Sequence, residues 1–210
     1  MVTMFPFPFY AMRHGETSWN ARGVFQGHSD VPLSPEGIRQ VEGNALRLGK
    51  HLACASMDPS SIGIISSPLS RALHSSRIIC AVLGISEGRL ATDARLKEAS
   101  FGHWEGLTTA EVKERFRDER RSRKKDRWNF TPPGGQSYAH ISSAMSGFLS
   151  DMSDFLSEVS GNRPLLLVTH TGNIRVALAL LQGLGPEAAM ALPIPQDRVL
   201  CWNGTFAGWI

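Results

Sequence analysis

The sequence predicts an α/β fold, a three-layer sandwich with a mostly parallel central sheet and helices on both faces. Two observations predict it. Short buried-strand runs alternate with amphipathic helical stretches toward both ends of the chain, as in layered α/β architectures. Between residues 95 and 160 that rhythm gives way to helical pattern and loops, which reads as a cap inserted into one domain spanning residues 1–210.

The elements follow in order. "FPFYAM" is a first strand, and the apolar start before it carries two prolines and no basic n-region, unlike a signal peptide. "LSPEGIRQVEGNALRLGKHLACA" is a helix with Ser34 as N-cap and Pro35 at the first helical position. "SIGIISS" is an isoleucine-rich buried strand. "PLSRALHSSRIICAVLG" is a helix opened by Pro68 and closed by Gly84. "LTTAEVKERFRDERR" opens on a capping box, Thr108 to Glu111, and reads as one helix. "FTPPGGQSYAH" is a loop, and residues 137–159 form a further helix. "RPLLLVTH" is the clearest buried strand, followed by the helix "GNIRVALALLQGLG". "RVLCWNGTFAGWI" closes the chain as two strands about Asn203-Gly204, a type I′ turn signal.

Composition narrows the function classes. With 42% hydrophobic and 20% charged residues, the 210-residue chain has the makeup of a folded globular protein. No apolar run reaches membrane-spanning length. Cys54, Cys80 and Cys201 are odd in number and lack metal-ligand spacing, so reduced core thiols in a cytoplasmic protein are expected. The net charge of +3 is concentrated: residues 113–127 hold nine Lys or Arg against four Asp or Glu, leaving thirteen against fifteen elsewhere. Interleaved acids and a single aromatic, Phe116, make that run a solvated helix face and a poor nucleic-acid footprint. No nucleic-acid or membrane partner is expected.

The chemistry lies at strand ends. In open parallel sheets ligands bind outside the carboxyl ends of strands. Here three such ends carry Arg13-His14-Gly15, then Ser66-Ser67-Pro68 with Arg71, then His170-Thr171-Gly172. Two arginines and two histidines meeting in one crevice suit a phosphoryl group, because guanidinium forks match its oxygens. No metal-ligand cluster and no GxxxxGK[ST] loop occurs, so neither a metal nor a nucleotide cofactor is expected. An unprotonated histidine can attack phosphorus itself, and Glu98 in "RLKEASFGHWEG" is the candidate proton donor to the departing oxygen. Glu105 stands close by as a competitor for that role.

The motifs "RHGETSWN", "QGHSDVPLSPEG", "SSPLSRALHSS", "LKEASFGHWEG", "PPGGQS" and "VTHTGNIR" resemble, in order, those of the histidine phosphatase superfamily, which includes cofactor-dependent phosphoglycerate mutase. The resemblance implies that His14 is the phosphorylated nucleophile, with Arg13, Arg71 and His170 completing its phosphate pocket and Glu98 as proton donor and later base. It implies substrate contacts at Asn20, Gln26 and Gly27, and donors from Thr171 and Gly172. Three positions depart from the common pattern: Thr171 where glycine is usual, Gln136 in place of glutamate, and Phe101 in place of the mutases' tyrosine. "FGHWEG" is similar to the phosphatase branch. The expected activity is metal-independent hydrolysis of a small phosphomonoester. Mutase-type phosphoryl transfer and a non-catalytic anion-binding module remain as alternatives, and a dimer is plausible.

The other features have plainer readings. His28, His51, His74, His103 and His140 are surface or structural, with His74 nearest to a pocket role. Trp19, Trp104 and Trp128 are packing residues, Trp104 being placed to reach the crevice mouth. Cys54 and Cys80 fall on apolar helix faces. Arg120 or Arg121 is the candidate for gripping a second anionic group on a substrate.

Overall fold

A computed structural model describes residues 6–158 and 164–210, with side chains left out for 154–158. The opening run 1–5, expected to lead into the first strand, lies outside the described residues.

In chain order the elements are β1 (Phe9–Arg13), α1 (Ser18–Ala21), α2 (Pro35–Cys54), β2 (Gly63–Ser66), α3 (Ser70–Leu83), β3 (Leu90–Thr92), α4 (Thr109–Arg115), α5 (Arg117–Lys125), α6 (Tyr138–Glu158), β4 (Leu165–Thr169), α7 (Thr171–Gln182), α8 (Pro186–Ala191), β5 (Leu200–Trp202) and β6 (Ala207–Trp209). The six strands form one sheet in the order β3-β2-β4-β1-β5-β6. β3, β2, β4 and β1 run parallel, while β5 and β6 add an antiparallel margin.

Alternation along the strands splits the core into two layers. Phe9 and Ala11 of β1 and Leu167 of β4 face α6 and α7, among Ile141, Phe148, Ile174 and Leu178. Met12 of β1, Ile64 of β2, and Leu166 and Val168 of β4 face α2 and α3, among Val41, Leu48, Ala72 and Ile79. This is the expected sandwich. Within residues 95–158, α6 joins the core layer, and α5 sets Arg123 against the Phe25 and Trp104 rings.

Local signals set several boundaries. Ser34 Oγ accepts from the Gly37 N–H at 3.0 Å, with Pro35 opening α2. Thr108 and Glu111 cap each other reciprocally. Gly84 closes α3 in the left-handed region at φ 68°.

The structure also differs from the sequence expectations. α3 begins at Ser70, because Leu69 stays extended before it. The helix expected from "LTTAEVKERFRDERR" breaks at Phe116, whose φ of −127° and ψ of 51° leave the helical region. The closing turn is not type I′, since Asn203 does not take positive φ. Instead Asn203 Oδ1 accepts from Thr205 and Phe206 N–H at 2.9 and 2.8 Å, an Asx-type turn. Cys54 is exposed at the end of α2, not core, while Cys80 is buried as expected. β3 and α8 were not foreseen. β3 is a three-residue edge strand with two exposed residues, too short to show a period.

Candidate active site

The sheet register assembles the site. Arg13 at the end of β1 lies opposite Thr169 at the end of β4, and Ser66 at the end of β2 lies opposite Val168. The ladder runs one residue further on each side: His14 N–H donates to Thr169 O at 3.0 Å and Ser67 N–H to Val168 O at 2.8 Å. His14, Ser67 and His170 thus leave three adjacent strands side by side. The His14 and His170 rings lie 5.0 Å apart.

Hydrogen bonds fix the tautomers. His14 Nδ1–H donates to Gly15 O at 2.7 Å, leaving Nε2 as an acceptor, and Arg71 Nε–H points at it across 3.3 Å. His170 Nε2–H donates to Ser67 Oγ at 2.8 Å, and its Nδ1 faces Arg71 Nη2 at 3.5 Å. Arg71, rooted in the first turn of α3, is itself held by donating to Gly27 O at 2.7 Å and Ser29 O at 3.0 Å.

Electrostatics keep both imidazoles neutral. Burial, then the charges of Arg71 and Arg13, hold His14 well below the usual histidine range against the opposing Gly15 hydrogen bond. Burial, His14, Arg71 and Arg13 do the same to His170. Burial brings Arg13 down to about 10, with Arg175 and Arg71 adding and Glu98 opposing. Arg13 remains a cation at neutral pH, and its buried Nε–H has no protein partner. Buried donors are ordinarily paired, so one that the protein leaves unpaired is suited to an acceptor on a ligand.

These residues surround a cavity of about 140 Å³ lined by Arg13, His14, Asn20, Gln26, Gly27, Arg71, Glu98 and Thr171, with Val24, Phe25 and Phe101 as apolar walls. Of the ten residues singled out from sequence, eight line it. His170 is fully buried beside Arg71, and Gly172 is buried beside Glu98.

The two carboxylates divide their tasks. Glu98 lines the cavity, held by N–H donors from Ala99 at 3.0 Å and Gly172 at 3.2 Å. A Cβ at position 172 would overlap Glu98 Oε1 and displace that carboxylate, so glycine leaves Glu98 its place. Glu105 faces away and ties loops together: it accepts from the His28 and Ser29 N–H groups, Ser29 and Ser100 hydroxyls and the Phe101 N–H, at 2.7–3.0 Å. Burial pushes its carboxyl up, but these hydrogen bonds bring it below its ordinary value. Gly27, at φ 51°, gives it room, since a Cβ there would overlap Glu105 Oε1.

Asn20 and Gln26 meet through Thr17. Asn20 Oδ1 accepts from Thr17 N–H at 3.2 Å and Thr17 Oγ1 accepts from Asn20 N–H at 3.1 Å, a capping box on α1. Gln26 Nε2 donates to the same hydroxyl at 2.7 Å, and its buried Oε1 has no partner. Gln136 accepts from Ser100 N–H at 3.1 Å, fastening the Pro-Gly loop to the Glu98 segment.

Sequence reasoning missed Phe25, which lines the cavity, Ser67, which fixes His170, and Thr17. Thr17 and Ser67 belong to motifs quoted for other members, the signal that could have found them, and Phe25 directly precedes the motif that opens at Gln26. Trp104 does not reach the mouth; it is fully buried, 5.4 Å from the Phe130 ring. His74 is exposed on α3, away from the cavity. His28 is exposed, with its ring Nε2 2.8 Å from Glu98 O.

Comparison with known proteins agrees with this geometry. The chain is 31% identical to glucosyl-3-phosphoglycerate phosphatase of Mycolicibacterium vanbaalenii, covering 82% of this chain and 73% of that one. It is 28% identical to the 2,3-bisphosphoglycerate-dependent phosphoglycerate mutase of Cytophaga hutchinsonii, over 84% of this chain and 78% of that one. A solved mycobacterial glucosyl-3-phosphoglycerate phosphatase in complex with VO3 superposes with a TM-score of 0.78 at 26% identity, covering 97% and 96% of the two chains. The family model that matches, over residues 9–203, is that of branch 1 of the histidine phosphatase superfamily, and the chain belongs to that superfamily.

Proposed function

We propose that this protein hydrolyses small phosphomonoesters through a phosphohistidine formed on His14, without a metal. The observation that carries the reading is the neutral His14, with Nδ1–H engaged by Gly15 and an unprotonated Nε2 held beside Arg71, lining a cavity shared with Arg13 and Glu98.

In the first step Nε2 attacks phosphorus, the bond to the ester oxygen breaks, and Glu98, carrying a proton, delivers it to that oxygen. Arg13 and Arg71 balance the charge on the equatorial oxygens, the largest contribution positioned groups make to phosphoryl transfer. Arg13 Nε–H supplies a donor that the protein itself leaves unused. His170, with Nε2–H held by Ser67, keeps Arg71 and His14 in place and closes the pocket floor. In the second step Glu98 takes a proton from water, the oxygen attacks phosphorus, and the phosphorus–nitrogen bond breaks, releasing phosphate and restoring neutral His14. Asn20, Gln26 and Thr171 contact the substrate from the cavity wall.

Mutase-type transfer shares the first step and differs in the acceptor, a second substrate's hydroxyl in place of water. The relationship to phosphoglycerate mutases favours keeping it as the second reading. The cytoplasmic assignment rests on the three unpaired cysteines.

The test is rapid quenching with a radiolabelled phosphate ester. An acid-labile, alkali-stable label mapped to residue 14, followed by release of free phosphate, supports the hydrolase. Label passing instead to an added phosphoglycerate supports the mutase, and no label on residue 14 defeats both.

A further inference from the structure

Glu98 lies just past a single 3₁₀ turn, Ala94–Leu96, in a stretch with no strand or α-helix of its own. Its main chain is held instead by side chains from elsewhere. The carbonyl of Leu96 accepts from the Thr169 hydroxyl at 2.8 Å and from Asn173 Nδ2–H at 3.1 Å. The carbonyl of Lys97 accepts from the same Asn173 amide at 2.6 Å. The carbonyl of Glu98 accepts from the His28 ring Nε2–H at 2.8 Å, an assignment fixed by the carbonyl having no proton to give. Three consecutive carbonyls, ending at the acid itself, are thus gripped by side chains of other segments.

The holders come from two sides of the pocket. Asn173 lies in the first turn of α7, beside Gly172, whose N–H donates to Glu98 Oε2 at 3.2 Å, and shortly after His170. His28 lies between Gly27 and Ser29, whose carbonyls accept from Arg71 at 2.7 and 3.0 Å. Glu98 is therefore tied to the His170 junction on one side and to the loop that holds Arg71 on the other. A general acid works only within hydrogen-bond reach of the oxygen it protonates, about 2.6–3.2 Å. A misplacement of about 1 Å can cost on the order of a hundredfold in rate. Asn173 is a poor residue for stability alone, since it is fully buried and its Oδ1 has no partner among the described residues. What it supplies is one amide that bridges two carbonyls next to the acid.

We propose that Asn173 and His28 are positioning residues for Glu98, holding the main chain at Lys97 and Glu98 so that the carboxyl stays at the departing oxygen. Neither residue lines the cavity, so both act through Glu98. The inference rests on the reading of Glu98 as the proton donor.

The experiment compares ethyl phosphate, whose leaving oxygen needs a proton, with p-nitrophenyl phosphate, whose leaving oxygen needs little help. The quantity read is kcat/KM, which covers the steps up to release of the alcohol. It is measured for the wild type, Asn173→Ala, His28→Ala, His28→Gln and, as reference, Glu98→Gln. Crystal structures of the two alanine variants show where Glu98 then lies. Both alanine variants are expected to lose about tenfold or more on ethyl phosphate and to stay within about threefold on p-nitrophenyl phosphate, with Glu98 displaced. His28→Gln, whose amide N–H reaches the same carbonyl, recovers most of the loss. His28 is exposed, so its substitution decides the matter even where Asn173→Ala does not fold. With Glu98→Gln discriminating between the esters, equal slowing of both by the alanine variants, or no slowing, overturns the positioning role. So does Glu98 unmoved in both structures. If Glu98→Gln treats the two esters alike while the alanine variants displace Glu98, the positioning role stands and the proton-donor reading falls instead.

Discussion

The Nε–H of Arg71 points at Nε2 of His14 across 3.3 Å, while the far end of the same guanidinium faces Nδ1 of His170 at 3.5 Å. One cation thus sits against two imidazoles, each presenting a lone pair to it. The arrangement is consistent only if both rings are unprotonated, which burial and the arginine charges enforce.

Replacing His14 by alanine removes the attacking nitrogen, so turnover of every ester is expected to vanish while the far-ultraviolet circular dichroism is unchanged. Arg71→Ala is expected to lose about a hundredfold or more in kcat, the scale for removing one preorganised stabilising group. Steady-state phosphate release checks both, and near-wild-type turnover of the alanine variant at residue 14 would refute the mechanism.

The histidines also make stability pH-dependent. Their folded pKa values lie below the unfolded value near 6.5, so below that pH the unfolded chain binds protons the native one refuses. Stability is expected to be full above about pH 7 and to decline as pH falls through the histidine range. The limiting slope is about 1.4 kcal/mol per pH unit for each buried histidine. Urea midpoints between neutral and mildly acidic pH measure it, and a flat profile would show that the rings are not held neutral.

Glu98 and Glu105 separate by leaving group. Glu98→Gln is expected to slow alkyl phosphates far more than p-nitrophenyl phosphate, whose leaving oxygen needs little help from an acid. Glu105→Gln should show no such dependence. Its effect is a loss of about 1–3 kcal/mol of stability, read from urea unfolding, because the donors gathered on Glu105 lose a charged acceptor. Equal sensitivity of the two variants to leaving group would contradict the division.

Gly172→Ala places a Cβ where Glu98 Oε1 lies. The expected outcome is a tenfold or greater fall in kcat on the scale of general acid catalysis, with vanadate inhibition retained because Arg13, His14 and Arg71 are untouched. Loss of vanadate binding in parallel would show that the glycine supports the phosphate pocket itself.

Prolonged dialysis against a chelator is expected to leave kcat unchanged, since the nucleophile and the charge-stabilising groups are all side chains. Inactivation that is reversed by added divalent cation would remove the metal-free mechanism.

The sequence by itself determined what depends on residues a few positions apart. Ser34 with Pro35, Thr108 with Glu111 and Gly84 mark helix ends because capping is a local hydrogen-bonding problem, and each appears where its type requires. The strand-end triplets Arg13-His14-Gly15 and His170-Thr171-Gly172 were legible for the same reason, since an arginine or histidine after a buried apolar run needs a partner. Only the tertiary structure decided which carboxylate lines the cavity. Glu98 and Glu105 lie seven residues apart in similar surroundings of sequence, and the choice was made by donors from distant segments, Gly172 for one and His28 with Ser29 for the other. It also placed Cys54 in solvent and broke the basic helix at Phe116. That break turns Arg123 inward onto Phe25 and Trp104 while Arg121 stays outside, two residues apart on one short helix. The charge run has no periodic apolar face to announce such an orientation. It follows from where α5 is set down on the aromatic wall, a contact between segments about a hundred residues apart.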